Sequence, residues 1–443
     1  MGTSRKTDAP PGSASRSAIA LCCANLRPGG VQRMTLLIAE CLLRRGWPVD
    51  LLLAENEGQL SPPQHDGLRI VPLEQSATPI GRAAVAAADP AGLAVNLRPL
   101  VLPVNGFPTL RILPDLARYL RAERPRAVFA PMPDFIFSTT LAKRMSRSDT
   151  RIVASFRSHL TGGLSAKNKA RGRTFLPALR RALGQVAAVH AVSHAVADDL
   201  AETCDLDRQA IEVFHSPTLS GDVEALAAAP VEHSWLAPER EVPVVVAVGR
   251  ISPQKDYETL FRALALARRE RPLRLLVVGD DSPLANADGR SKKITRAVNL
   301  LKELELEDAI DFVGYQENPL AWIARADVFA LSSRFEGLPN VVIEALACGR
   351  SVVATDAPGG TAEILEGGRY GHLAPVGDAE AMGRALLEAV AAPADPQAQK
   401  ARAADFGWEA SLAAYEQLLT GQAEDADRAV ASEDVSHKVT ASS

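Results

Sequence analysis

Three segments of this 443-residue chain place glycines and charged side chains where a bound anion would meet them. The first is Arg27-Pro28-Gly29-Gly30-Val31-Gln32-Arg33, between an apolar run and a helical pattern. Paired glycines let a backbone pass close to a ligand, and a helix start offers free N–H groups to an anion. A tight turn that binds nothing accounts for the same residues. The second is Gly249-Arg250-Ile251-Ser252-Pro253-Gln254-Lys255-Asp256, just after another apolar run. Arg250 and Lys255 on such a loop suit a diphosphate that gains charge as it departs; two solvated cations are the plain alternative. The third is Ser332-Ser333-Arg334-Phe335-Glu336-Gly337-Leu338-Pro339-Asn340-Val341-Val342-Ile343-Glu344-Ala345. It spaces Glu336 and Glu344 across a Gly-Leu-Pro turn and a helix start, where Asn340 is suited to cap. Glu344 falls one turn into that helix, placed to accept from two ribose hydroxyls or merely to complement the helix dipole.

These segments need a scaffold, and the apolar pattern supplies one. Short buried-type runs at Ala18–Cys23, Val49–Ala54, Arg69–Leu73, Ala127–Ala130, Arg151–Phe156, Ala187–Val192 and Ile211–Phe214 read as strands, with a helix at Gln32–Arg44. They are too apolar for a sheet with one wet face, so a parallel sheet covered by helices is expected. Residues 75–108 are broken by Pro79, Pro90, Pro99, Pro103 and Pro108 and are read as an insertion without regular structure. A second series has strands at Val244–Val248, Arg274–Val278, Ile310–Val313, Asp327–Leu331 and Ser351–Thr355. Helical patterns at Tyr257–Glu270, Lys292–Leu304, Leu320–Ala326, Val341–Cys348, Ala379–Ala392 and Trp408–Leu419 accompany it. The expected organisation is a tail (1–17), a first α/β domain (18–220), a linker (221–243), a second α/β domain (244–405), a final helix (406–420) and a second tail (421–443). Two doubly wound domains leave a cleft where a ligand meets the carboxyl ends of both sheets.

The three motifs in this order resemble those of glycosyltransferase family 4, retaining enzymes of the GT-B fold. The resemblance is strongest over Val244–Val390, with Ala326-Asp327-Val328-Phe329, Glu344-Ala345-Leu346-Ala347-Cys348-Gly349 and Ala357-Pro358-Gly359-Gly360-Thr361-Ala362-Glu363-Ile364-Leu365. It implies two Rossmann-like domains, the first for the acceptor and the second for a nucleotide-diphosphate sugar donor. It implies that Arg250 and Lys255 hold the donor diphosphate, that Glu344 holds the ribose and that Glu336 lies near the donor sugar. Gly337 and Leu338 would donate backbone N–H groups, Gly29 and Gly30 would approach the phosphates from the first domain, and Tyr315 and Gln316 would meet the base. The final helix would cross back to the first domain. Many relatives carry a histidine where this chain has Arg157, in Ser155-Phe156-Arg157-Ser158-His159, so Arg157 and His159 are the acceptor-side candidates. No cofactor or metal is implied, and Asp205-Leu206-Asp207 reads as a solvated turn.

Composition narrows the alternatives. Lys+Arg 49 against Asp+Glu 53 gives net charge −4, which argues against general nucleic-acid binding. Five cysteines without paired spacing fit a reducing cytoplasm, and no apolar run reaches the length of a membrane span. Against that balance, Lys143–Arg181 holds eleven Lys and Arg and only Asp149. The expectation is a peripheral position on the inner face of the plasma membrane, with Leu160, Leu164, Phe175 and Leu176 adding apolar contact and a lipid-linked or cell-surface glycan precursor as acceptor. Competing readings are a clamp for the acceptor's own phosphates, a nucleotide-sugar epimerase or hydrolase on a similar fold, and a non-catalytic partner protein.

Overall fold

The structure, a computed structural model, describes residues 16–101, 108–167, 169–219, 222–279 and 292–421. The expected tails, 1–17 and 421–443, fall almost wholly outside the described residues. The first sheet has seven strands: β1 (Ile19–Cys23), β2 (Val49–Leu53), β3 (Leu68–Pro72), β4 (Ala127–Ala130), β5 (Arg151–Phe156), β6 (Ala188–Ala191) and β7 (Ile211–Val213). Their spatial order is β3-β2-β1-β4-β5-β6-β7, and every pairing is parallel. The second sheet has six: β8 (Val244–Val248), β9 (Arg274–Val278), β10 (Ile310–Gly314), β11 (Val328–Leu331), β12 (Ser351–Thr355) and β13 (His372–Ala374). Its order is β10-β9-β8-β11-β12-β13, again parallel throughout.

The strand sequences explain the layers. Ile19-Ala20-Leu21-Cys22-Cys23 and Val49-Asp50-Leu51-Leu52-Leu53 are buried along their whole length, as a sheet covered on both faces requires. Asp50 is the polar exception, held by a bidentate Arg69 at 2.6 and 2.8 Å and by Tyr119 Oη at 2.6 Å. In each sheet the chain reverses its winding at the first strand: β1 lies between β2 and β4, and β8 between β9 and β11. Loops leaving β1, β8 and β11 therefore open at the topological switch points, the usual place for a ligand in such sheets.

One expectation needs correction, and two other regions hold structure not expected from the sequence. Residues 75–108 are not irregular throughout, because Thr78–Ala88 forms a helix with Pro79 in its first turn, where the missing N–H costs nothing. The expected linker carries structure of its own. Val223–Ala228 is helical, and Arg325 Nη1 and Nη2 donate to the carbonyls of Ala227 (3.0 Å) and Ala228 (3.1 Å), fixing this stretch to the second sheet's helices. Strand β13 was not anticipated, since three residues starting with a histidine carry little pattern. The last helix, Trp408–Thr420, packs on β4, β5 and the Gly30–Arg44 helix of the first unit. There Glu416 accepts from Trp47 Nε1 at 2.7 Å and pairs with Arg45, while Tyr415 meets Phe129 edge-on. No described helix is long and apolar enough to cross a membrane.

Candidate active site

Glu336 and Lys255 form the centre of the site. Lys255 Nζ lies 2.8 Å from Glu336 Oε1, Ser333 Oγ donates to the same oxygen at 2.6 Å, and Gln254 Nε2 reaches Oε2 at 3.4 Å. Both charged groups are largely buried, so the pair is shielded from screening. The loops carrying them are stitched together: Arg334 N donates to Gln254 O at 2.7 Å, and Ser332 Oγ to Lys255 O at 2.8 Å. Asp256 adopts a left-handed conformation (φ 46°) that turns the chain into the Tyr257–Ala267 helix, and its carboxylate pairs with Arg334. Arg250 is exposed and has no hydrogen-bonding or ion-pair partner among the described residues. One cation of the loop is thus held by a carboxylate, and the other is left available.

Glu344 behaves differently. Its Oε2 is sealed from solvent with no hydrogen-bond partner among the described residues, as is the hydroxyl of Thr361. Burial raises the Glu344 carboxyl above its ordinary value, and the charge opposing that rise is Arg33. An orphaned buried carboxylate oxygen is costly unless something donates to it, which the hydroxyls of a ligand would do. Arg33 comes from the other sheet. It stands in the first turn of the Gly30–Arg44 helix, and its Nη2 donates across the cleft to Glu317 O at 2.6 Å. That places the Gly29-Gly30 turn opposite the loop after β10, where Tyr315 is exposed and Gln316 Nε2 bonds Val313 O at 2.8 Å. A Cβ on Gly30 would meet nothing within 4 Å, so the turn faces open space.

The Glu336-Gly337 loop is also one of the contacts between the two units. A Cβ on Gly337 would lie 2.1 Å from Arg157 O, so only glycine fits there. His159 N donates to Glu336 O at 3.1 Å, and Ser193 Oγ to Gly337 O at 3.0 Å. On the other side Glu336 N reaches Pro358 O at 2.9 Å and Gly360 N reaches Gly337 O at 2.7 Å. The N–H groups of Gly337 and Leu338 donate to no carbonyl of a described residue, while the Leu338 side chain is buried.

The acceptor-side candidates are drawn into other contacts. The Arg157 guanidinium donates to Tyr415 Oη (3.1 Å) and Ser216 Oγ (2.5 Å), tying the end of β5 to the last helix. His159 Nδ1 accepts from Gly162 N at 3.2 Å and lies 3.4 Å from Asp199. Asp205 and Asp207 are turn residues, the latter capping a short helical turn through Gln209 N at 2.9 Å. No group of three potential metal-ligating side chains occurs among the described residues. Sequence reasoning passed over Arg33, Gln254 and Ser333, although all three lie within the motifs it singled out. Arg33 carried a readable signal, a cation one turn into the helix after the glycine pair.

The basic stretch also resolves into contacts. Arg181 grips Asp89 at 2.6 and 2.7 Å, Arg144 lies 3.1 Å from the same carboxylate, and Arg151 and Arg180 donate to Leu418 O and Thr203 O. The side chains of Lys167, Lys169, Arg171 and Arg173 lie outside the described residues. Leu160 and Phe175 are core residues, Phe175 edge-on to Phe137, and are not available to a membrane.

Two facing Rossmann-like sheets with a charged cleft at both switch points define the GT-B class. Residues 28–218 match the family described as Glycosyltransferase Family 4, and residues 242–392 the one described as Glycosyl transferases group 1. The chain belongs to the family 4 glycosyltransferases. The structure resembles sucrose-phosphate synthase from Thermosynechococcus elongatus (TM-score 0.71, 19% identity, 93% of this chain and 100% of that one). It also resembles the Anabaena protein HepE in complex with UDP and glucose (TM-score 0.66, 17% identity, 93% and 99%). In sequence it is 34% identical over 142 residues to an N-acetylgalactosamine-N,N'-diacetylbacillosaminyl-diphospho-undecaprenol 4-alpha-N-acetylgalactosaminyltransferase of Campylobacter jejuni, covering 32% of this chain and 36% of that protein. Matches to the first curated relatives span from about a third to under two thirds of those proteins' lengths.

Proposed function

We propose that the chain is a retaining hexosyltransferase that moves a sugar from a nucleotide-diphosphate sugar to a hydroxyl of a lipid-linked or cell-surface glycan precursor. One observation supports the reading: Arg250 and Lys255 follow β8, and Glu336 and Glu344 follow β11, so the Glu336-anchored Lys255, an Arg250 without a partner among the described residues and a buried Glu344 oxygen likewise unpartnered all stand at the switch point of the second sheet. In this reading the ribose hydroxyls donate to Glu344, and Arg250 and Lys255 neutralise the diphosphate as the glycosidic bond breaks. Charge stabilisation of that leaving group is the largest contribution to rate. The two cations supply the positive charge that a divalent metal provides in other transferases, so the reaction proceeds without one. Glu336 holds Lys255 in place and faces the donor sugar. The acceptor hydroxyl attacks from the face that the diphosphate leaves, and a leaving phosphate oxygen takes its proton. Water is kept out because the two units close on the Gly337 loop.

A lipid-linked acceptor is favoured by the insertion that packs beside the basic charge of Lys143–Arg181. Ile80, Leu93 and Val95 are exposed on helices that pack against the helices carrying that charge, and they replace Leu160 and Phe175 as the apolar contact with an anionic membrane. The enzyme then works at the cytoplasmic face of the membrane. The Campylobacter relative is named for a diphospho-undecaprenol substrate, which is consistent with this acceptor class.

The test is calorimetric titration with UDP, GDP and ADP. One nucleotide is expected to bind the wild type, and Arg250→Ala and Glu344→Ala each weaken it by about tenfold. A folded wild type that binds none of the three overturns the donor-site assignment.

A further inference from the structure

One carboxylate joins the two units behind the donor loop. Glu363 belongs to the second unit, in the short helical turn after Gly359-Gly360. Its Oε2 accepts the His194 N–H at 2.9 Å, and its Oε1 lies 2.7 Å from His215 Nε2. Both partners belong to the first unit: His194 opens the helix His194–Cys204, and His215 follows β7. A carboxylate at a helix start is favoured by the free N–H groups and the dipole there. Burial by itself would raise the Glu363 carboxyl, but His215 and the His194 N–H outweigh it and hold the group below its ordinary value. From its own side Glu363 is braced by Arg402, which donates to Glu363 O at 2.7 Å and Ile364 O at 2.9 Å.

The bridge has a direct route to the site. Pro358 and Gly360, a few residues earlier, accept from Glu336 N and donate to Gly337 O. Gly359 has φ +130°, and a Cβ there would lie 2.3 Å from Glu336 O. The Glu336-Gly337 loop is therefore sandwiched between the Pro358–Gly360 turn and the first unit. Whatever fixes that turn to the first unit fixes the loop.

We propose that Glu363 is a positioning residue, a latch that clamps the Pro358–Gly360 turn to the helix start at His194 and so holds Glu336 and Gly337 in their working geometry. The effect on turnover rests on the transferase reading above, whereas the effect on the latch does not.

The test compares Glu363→Ala, Glu363→Gln and His215→Gln in the full chain. Hydrogen exchange followed by mass spectrometry needs no substrate. Glu363→Ala is expected to speed exchange in peptides covering 193–198 and 336–340 by about tenfold or more, with melting of the whole chain still cooperative. Glu363→Gln keeps an acceptor for the His194 N–H and an amide opposite His215, so it restores most of the protection. With the donor that titration identifies, Glu363→Ala lowers kcat about tenfold with KM changed less, and Glu363→Gln recovers it. Glu363→Ala with wild-type exchange in both peptides overturns the latch, whatever the activity shows. Faster exchange at 193–198 alone overturns the link to the donor loop. A wild type that binds no nucleotide removes the transferase reading and leaves the exchange result to decide the latch.

Discussion

The cleft proposed to take the donor and the basic stretch Lys143–Arg181 both attract attention by charge, and the fold treats them oppositely. In the cleft, neither Arg250 nor one Glu344 oxygen has a partner among the described residues. The basic stretch holds eleven cations, yet Arg144 and Arg181 close on a buried Asp89 from the insertion. Arg151, Arg157 and Arg180 are occupied by carbonyls or hydroxyls. Charge count along the chain therefore overstated one region and understated the other. What marks a site is charge left unsatisfied where strands end at a switch point.

Substitutions can break this contrast. The largest effect is expected at Lys255, where Lys255→Ala lowers kcat about 100-fold or more by removing charge from the leaving group. Initial rates check it, and a folded variant with near wild-type kcat would dismiss Lys255 from the chemistry. Next comes Asp89→Ala, which leaves two cations without their carboxylate. Since both arginines are about a third exposed, the cost is discounted to about 2 kcal/mol, read from the urea midpoint. Activity of the folded fraction stays at the wild-type level. Arg250→Ala inverts that result: the urea midpoint is unchanged while nucleotide affinity falls about tenfold.

Glu344→Gln sharpens the comparison further. It replaces a carboxylate with one buried oxygen that lacks a donor among the described residues, so the free protein's Tm is expected to rise by about 1–3 °C. The same variant loses the rise in Tm that the bound nucleotide gives the wild type, which thermal denaturation with and without ligand records. The smallest effect concerns pH. Glu363 has a lowered carboxyl pKa in the fold, so its contribution is present above the unfolded carboxylate value and is lost as pH falls through the folded one. Stability attributable to Glu363 is thus level from pH 7 to about pH 5 and declines below about pH 4. Subtracting the profile of Glu363→Gln isolates it, and a flat difference would count against the contact.

Most strands were readable because both sheets are buried on both faces, which writes them as continuous apolar runs. Arg151–Phe156 and Val244–Val248 match to the residue. Edges were poorer: β13 is three residues long, and β3 is largely exposed. The helix Thr78–Ala88 was missed because Pro79 reads as a breaker although it stands at a helix start. Within the site, loop residues were legible by type and position. Their partners were not, since Lys255 meets Glu336 across 81 residues and Arg33 meets Glu317 across 284.

The sequence by itself determined the two α/β units, the three loops that leave β1, β8 and β11 and the identities of the cations and carboxylates in them. Those properties are local: apolar periodicity, glycine at a turn, charge beside a helix start. Tertiary structure alone decided which charges stay available. Pairing depends on approach between segments far apart in the chain, so Arg157 was taken up by Tyr415 and Ser216, Arg181 by Asp89, and Glu363 by His194 and His215. One Glu344 oxygen kept no partner, since no donor among the described residues reaches it.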